Sequence, residues 1–269
     1  MKKSVVGILL IVLSTTVQAL NWQADARVAA LFEKYQLDGT FVLYDVQREQ
    51  YSGFNLARAE TRFIPASTFK IVNSLIGLTV GAVKDVHHKL PYGGQPQYLK
   101  VWEQDMGLAD AIAVSNVPVY QALARRIGKQ RMRHALEAIP YGNAQVGSEI
   151  DQFWLQGPVA ISAIEQAHYL AKLAQLKLPF PVKVQQDVAA IIQQPTAPGR
   201  LLYAKTGWAS SPEPDIGWWV GWVQKNHEIY SFALNINIQQ SSDGAQRKHL
   251  GNAILSALDL VEFEPAPTD

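Results

Sequence analysis

The stretch Ile64-Pro65-Ala66-Ser67-Thr68-Phe69-Lys70-Ile71-Val72 decides how this chain is read. It sets a hydroxyl three residues before a lysine. Apolar residues at Ile71, Val72, Leu75, Ile76 and Leu78 then recur near helical spacing. A helix beginning near Ser67 puts positions i and i+3 on one face, so Ser67 Oγ and Lys70 Nζ can meet within a single turn. The first turn also carries unpaired N–H groups and the positive end of the helix dipole, both of which favour a developing anion. A nucleophile, a base and an anion site are what acyl transfer needs. Ser-x-x-Lys recurs on ordinary helices, so its meaning rests on the remainder of the chain.

That remainder is globular. With 269 residues, 48% hydrophobic and 17% charged, the chain has length and apolar content for one large domain or two interleaved lobes. A formal net charge of +1 and the lack of any basic run argue against a nucleic-acid partner. Met1-Lys2-Lys3, the apolar run Val5 to Leu13 and the small residues up to Val17-Gln18-Ala19 read as a secretory leader, residues 1–19, cleaved after Ala19. The run is too short to span a bilayer, so export to the periplasm with no membrane attachment after cleavage is expected. The chain has no cysteine, which removes disulfides, thiolate metal sites and a cysteine nucleophile together.

Along the mature region the hydrophobic period switches twice. Residues 39–46 and 51–54 read as two strands around a polar turn. Helical spacing then dominates. Val117, Tyr120, Leu123, Ala124 and Ile127 share a face that stops at Gly128, Ser162-Ala163-Ile164-Glu165 is a capping box, and 182–192 is a further short helix. Strands return at Leu201–Lys205, Ile216–Val223 and Ile229–Ile238, with a turn at 224–228. A last helix is expected over 243–261, and a disordered tail over 264–269. The fold class is therefore α/β of the α+β type. An antiparallel sheet is built from the N- and C-terminal segments (about 20–64 and 193–263), and an all-helical lobe (about 65–192) is inserted between its strands. Residues 20–269 form a single domain.

Lys205-Thr206-Gly207 ends one predicted strand and Trp208 follows. Such a strand end can present an ammonium and a hydroxyl to a cleft, and the glycine lets a ligand approach the backbone. Ser-x-x-Lys at a helix start with Lys-Thr-Gly on a later strand is the pair found in penicillin-interacting serine enzymes. Between them stand Ser115-Asn116-Val117, Tyr141-Gly142-Asn143 and Phe153-Trp154-Leu155-Gln156-Gly157. These five motifs, in this order over about residues 37–260, resemble those of the class D (oxacillinase-type) serine β-lactamases. Val117 stands where many penicillin-binding relatives have asparagine.

The resemblance implies roles for particular residues. Ser67 attacks the β-lactam carbonyl, and the backbone N–H groups of Ser67 and Trp208 form the oxyanion hole. A lysine amine with the ordinary pKa of about 10.4 is a poor base at neutral pH. The apolar residues Phe69, Val117, Trp154 and Leu155 would depress that of Lys70. A neutral amine can take up carbon dioxide, and relatives of this type carry an N-carboxylated lysine here, so Lys70 in that form is the implied general base. It activates the water that hydrolyses the acyl-enzyme, and the Trp154 indole N–H holds its oxygen. Carbon dioxide or bicarbonate is thus required, with no other cofactor and no metal; there is no H-E-x-x-H. Ser115 relays a proton to the lactam nitrogen beside Lys205. Thr206, Gly207, Val117 and Leu155 contact the substrate. Arg247 binds the substrate carboxylate, with Lys248 as competitor; bidentate geometry favours arginine.

Two readings compete with a β-lactam hydrolase. A peptidoglycan transpeptidase or carboxypeptidase normally has a polar residue in place of Val117. A penicillin sensor stays acylated and sits behind several membrane spans. Tyr141-Gly142-Asn143 reads as a turn, and Trp218, Trp219 and Trp222 read as sheet core facing a helix layer. Penicillins are the implied substrates. The short 208–216 segment, with Pro212 and Pro214, is like loops that accompany carbapenem hydrolysis in some relatives. Range beyond penicillins and oligomeric state are not legible.

Overall fold

The computed structural model describes residues 20–211, 213–240 and 243–262. The expected leader at 1–19 and tail at 264–269 lie outside the described residues. In chain order the elements are β1 (Trp22–Ala24), α1 (Ala26–Tyr35), β2 (Gly39–Asp45), β3 (Gln50–Phe54), α2 (Leu56–Glu60), a 3₁₀ turn (Ala66–Phe69), α3 (Lys70–Thr79), a 3₁₀ turn (Lys100–Trp102), α4 (Leu108–Ala113), α5 (Val117–Ile127), α6 (Lys129–Glu137), α7 (Ala163–Ala174), α8 (Val182–Ile191), β4 (Gln193–Gln194), β5 (Arg200–Ala209), β6 (Asp215–Lys225), β7 (Glu228–Ile238) and α9 (Asp243–Ala257).

The strands form one sheet in the order β1-β3-β2-β7-β6-β5-β4. Strands from the two ends of the chain meet where β2 pairs antiparallel with β7, Gly39 opposite Ile236 and Asp45 opposite Tyr230. The sequence led to an antiparallel sheet, and the structure corrects this at one edge: β1 runs parallel to β3, Trp22 opposite Tyr51. A three-residue strand with no hydrophobic period carries no sequence signal of its own; the neighbouring edge recruits it.

The sheet separates two apolar layers. On one face Val42, Trp218, Val220, Trp222 and Ala233 join the helical lobe through Phe69, Val72, Leu75, Tyr120, Leu123, Trp154 and Leu170. On the other, Phe41, Trp219, Val223, Phe232 and Leu234 meet Val28 and Phe32 of α1 and Leu250 and Ile254 of α9. The three tryptophans of β6 are indeed core. However, the period of two sends Trp218 and Trp222 to the helical lobe and Trp219 to α9, so they do not share one helix layer. Gly251 makes the second contact close. A Cβ there would lie 2.1 Å from Trp219 Cε3, so α9 can sit directly on the indole.

Local signals held where the sequence was periodic. Ser162 Oγ accepts from Glu165 N at 3.1 Å and the Glu165 carboxylate accepts from Ser162 N at 2.9 Å, completing the capping box of α7. Asn116 caps α5 by accepting from Val119 N at 3.1 Å. Gly128, with φ of 80°, ends that helix. The last helix stops at Ala257, short of 261.

Candidate active site

Ser67 lies one step earlier than the helix expected there. Residues 66–69 form a 3₁₀ turn, and α3 begins at Lys70. The i, i+3 pairing survives, because a 3₁₀ turn eclipses those positions. Lys70 Nζ donates to Ser67 Oγ at 2.8 Å. The turn is held from several directions. Thr68 Oγ1 donates to Pro65 O at 2.8 Å, and Gln166 Nε2 of α7 donates to Thr68 Oγ1 at 2.8 Å. Trp218 Nε1 of β6 donates to Ile64 O at 2.9 Å. Ala66 sits at φ of 48°, a left-handed backbone that a non-glycine residue adopts at a cost of about 1–3 kcal/mol. The surrounding bonds offset that cost.

Lys70 is fully buried. Burial drives its amine well below the ordinary lysine value, and the charge of Lys205 pushes the same way. Its surroundings are aromatic. Nζ lies 5.3 Å from the Tyr120 ring centroid, and Ser74 Oγ, 2.8 Å from Tyr120 Oη, donates to Lys70 O at 2.8 Å. Phe69 stacks on Trp154 at 5.5 Å and meets Phe153 edge-on at 5.0 Å. Trp154 is itself fully buried, and its Nε1 has no hydrogen-bond partner among the described residues. A buried indole N–H left unpaired costs about 1–3 kcal/mol, so the position is costly unless an acceptor comes to it.

The second wall is β5. Lys205 Nζ donates to Ser115 Oγ at 2.5 Å, to Thr206 O at 2.9 Å and to Thr206 Oγ1 at 3.4 Å. Ser115 belongs to the short link before α5 and has φ of 53°, a second left-handed non-glycine residue at the site. Burial, reinforced by the charges of Arg247 and Lys248, brings the Lys205 amine down to about 7. An amine so poised holds its proton about half the time near neutral pH and can pass it through Ser115. Gly207 is backed against the serine turn: a Cβ there would lie 2.9 Å from Pro65 O and 3.3 Å from Thr68 N. Any larger residue would push β5 off Ser67.

Ser67, Ser115, Val117, Thr206, Gly207, Trp208 and Arg247 all line one cleft of about 610 Å³. Lys70 and Lys205 lie buried behind it, bonded to its serines Ser67 and Ser115, and Trp154 is buried against Phe69. Leu155, expected to contact substrate, is not among the residues that line this cleft; it packs, partly buried, against the helical-lobe core. Arg247 is partly buried and lowered by desolvation, and its Nε and Nη1 are buried without partners, whereas Lys248 is exposed. Tyr141-Gly142-Asn143 builds a turn: Asn143 Oδ1 accepts from Ala160 N at 3.1 Å and Nδ2 donates to Pro158 O at 2.9 Å.

Sequence reasoning missed Tyr98, Leu99, Trp102, Ser210 and Asp215, which complete the cleft lining. Tyr98 is 91% exposed at the mouth. No period marks residues 90–107, so nothing local pointed to Tyr98, Leu99 or Trp102, and Ser210 and Asp215 lie in the 208–216 segment, which was singled out as a loop without naming them. Tyr120 was visible as a member of the α5 stripe, but only as packing.

Residues 39–256 match the family described as the penicillin-binding protein transpeptidase domain. Beta-lactamase OXA-5 of Pseudomonas aeruginosa is 40% identical over 233 residues, 86% of this chain and 87% of that protein. Beta-lactamase OXA-48 of Klebsiella pneumoniae is 37% identical over 243 residues, 90% of this chain and 92% of that protein. The crystal structure of FUS-1 (OXA-85), a class D β-lactamase from Fusobacterium nucleatum subsp. polymorphum, superposes with a TM-score of 0.87 at 41% identity, covering 89% of this chain and all of that one. A serine–lysine pair set against a Lys-Thr-Gly strand therefore recurs here within a shared fold and sequence, and the chain belongs to the class D β-lactamases, the serine hydrolases of β-lactams.

Proposed function

We propose that the chain is an exported β-lactamase in which Ser67 is acylated by the substrate and Lys70, carboxylated on Nζ, is the general base. The observation that carries this reading is the pairing of a fully buried, deprotonation-prone Lys70 amine with a buried Trp154 Nε1–H that lacks an acceptor. These residues fit a carboxylated lysine: a neutral amine reacts with carbon dioxide, and the indole can hold the resulting oxygen. Bound there, the carboxyl supplies an anionic base beside Ser67. Carbon dioxide or bicarbonate is the only accessory this reading needs.

The remaining chemistry belongs to the chain. Ser67 Oγ forms a bond to the lactam carbonyl carbon as its proton leaves towards Lys70. The oxygen that becomes negative is met by the backbone N–H groups of Ser67 and Trp208. The lactam C–N bond breaks, and the nitrogen takes its proton from Ser115, which is replenished by Lys205 at 2.5 Å. Thr206 and Arg247 bind the substrate carboxylate; the buried, unpartnered Nε and Nη1 of Arg247 support that role over exposed Lys248. Water then cleaves the Ser67 ester and restores the hydroxyl. Export and removal of residues 1–19 rest on the leader pattern.

Turnover of a chromogenic penicillin tests the reading. The parent should turn over repeatedly, lose activity in acidic buffer stripped of carbon dioxide and regain it with bicarbonate. Lys70→Ala should release no more than one equivalent of product. Sustained turnover by Lys70→Ala, or indifference of the parent to bicarbonate, would count against Lys70 as the carboxylated base.

A further inference from the structure

Arg247 is held by no ion pair among the described residues. Its stem runs past β6 at Gly217, where an added Cβ would meet Arg247 Cδ at an ordinary contact distance of 3.4 Å. Gly217 is the cross-strand partner of Trp208. The Trp208 ring thus stands over the guanidinium, 5.7 Å from Arg247 Cζ to the ring centroid. The indole is clamped at both ends. Its six-membered ring rests on Gly244 at the start of α9, where a Cβ would lie 2.4 Å from Trp208 Cζ3. At its other end Nε1 donates to Asp215 Oδ2 at 2.6 Å, a charge-assisted bond. One glycine and one carboxylate therefore fix a ring that is otherwise 39% exposed.

We propose that Asp215 and the Trp208 indole are positioning residues for Arg247: the Asp215–Trp208 bond locks the ring that orients the guanidinium toward the carboxylate of a bound β-lactam. This rests on the reading of Arg247 as the carboxylate-binding group. The lock also answers an electrostatic puzzle. Asp215 lines the same cleft as Arg247 and carries the charge sign of the substrate carboxylate. Bonded to the indole N–H, its Oδ2 is engaged and its charge is partly spread into that bond. Asp215 then serves the anion site in spite of its own charge, because cation–ring stacking needs a fixed ring.

The test compares benzylpenicillin with its methyl ester, which lacks the carboxylate. Asp215→Ala should raise KM for the free acid about three- to tenfold, the value of one lost hydrogen bond, with kcat within about twofold. For the ester, KM should move less than about twofold. Asp215→Asn keeps an oxygen that accepts the indole N–H and should behave as the parent, which separates the bond from the charge. The inference is overturned if Asp215→Ala changes acid and ester alike, or if it lowers KM for the acid, the result expected of a carboxylate that only repels substrate. Arg247→Ala is the control. If it fails to discriminate acid from ester, the carboxylate-binding reading falls and the positioning inference falls with it. If it discriminates and Asp215→Ala does not, only the positioning inference falls.

Discussion

Replacing Lys205 by methionine should stabilise the protein in acid while destroying its activity, and the size of the effect follows from where the amine sits. Lys205 is 6% exposed, and its burial, with the charges of Arg247 and Lys248, lowers it from 10.5 to about 7. In the unfolded chain it titrates near its ordinary value. Below pH 7 both states hold the proton and the native state bears the whole cost of a buried charge. At about 1.36 kcal/mol for each pH unit between the two values, that is roughly 5 kcal/mol. Between pH 7 and 10.5 the unfolded state binds more protons than the native state, so this residue's cost shrinks as pH rises, and above 10.5 it is gone. Lys205→Met keeps most of the volume but leaves the acceptors Ser115 Oγ and Thr206 O without their donor, a loss of about 1–3 kcal/mol. The variant should therefore be about 2–4 kcal/mol more stable than the parent at pH 6 and slightly less stable by pH 10. Urea unfolding of both proteins at pH 6, 8 and 10, followed by circular dichroism, measures the difference directly. A variant that is less stable at pH 6, or whose stability difference does not change with pH, would refute the reasoning that Lys205 is an amine forced toward neutrality. The outcome expected is a trade of stability for function at a single side chain.

Other substitutions report on separate parts of the site. Trp154→Phe removes an N–H that has no partner among the described residues, so unfolding free energy should stay within about 1 kcal/mol of the parent while the bicarbonate concentration for half-maximal activity rises; an unchanged bicarbonate requirement would contradict the indole's role. Ser115→Ala should cut kcat/KM by about 10²- to 10⁴-fold, the usual worth of a proton relay, with the fold intact by circular dichroism; near-parental turnover would show that Lys205 delivers its proton by another route. Gly251→Ala drives a methyl group into Trp219 and should cost about 1–3 kcal/mol, lowering the melting temperature by several degrees, whereas an unshifted melt would mean that α9 can lift off the sheet freely.

Much of the fold was legible where one segment specifies itself. The α5 stripe with its Gly128 stop, the capping box at Ser162–Glu165 and the apolar runs of β6 and β7 are written in their own residues, whereas β5, expected over 201–205, runs on through Thr206-Gly207-Trp208 to Ala209 because β6 pairs along its whole length. Helix α1 was equally encoded, with Asp25 accepting from Arg27 N at its start and Val28 and Phe32 one turn apart, yet it escaped the reading because it follows directly on the leader. Strand β1 was beyond reach for a different reason: three residues have no period, and only the free edge of β3 makes them a strand. At the site, the motifs nominated Ser67, Ser115, Val117, Thr206, Gly207, Trp208 and Arg247, and the fold brings these seven to one cleft. Leu155 was nominated with them and packs elsewhere. Tyr98 and Trp102 were missed because a residue in an aperiodic segment reaches a cleft only through the path of the whole chain, and Asp215 because the first residue of a strand shows its cleft only once the strand is placed.

The sequence by itself determined the reaction class, since Ser67 and Lys70 are three residues apart and any tight helical turn brings their side chains together. It determined the family as well, through five motifs whose order needs no coordinates. What only the tertiary structure decided is the electrical state of the site. Lys70 and Lys205 are ordinary lysines in the chain. Their amines are pushed toward neutrality because segments far apart in sequence pack around them and bury both. Desolvation is a property of everything packed around a group, and so is the choice of Arg247 over its neighbour Lys248: one is folded beneath the Trp208 ring, the other is left in solvent.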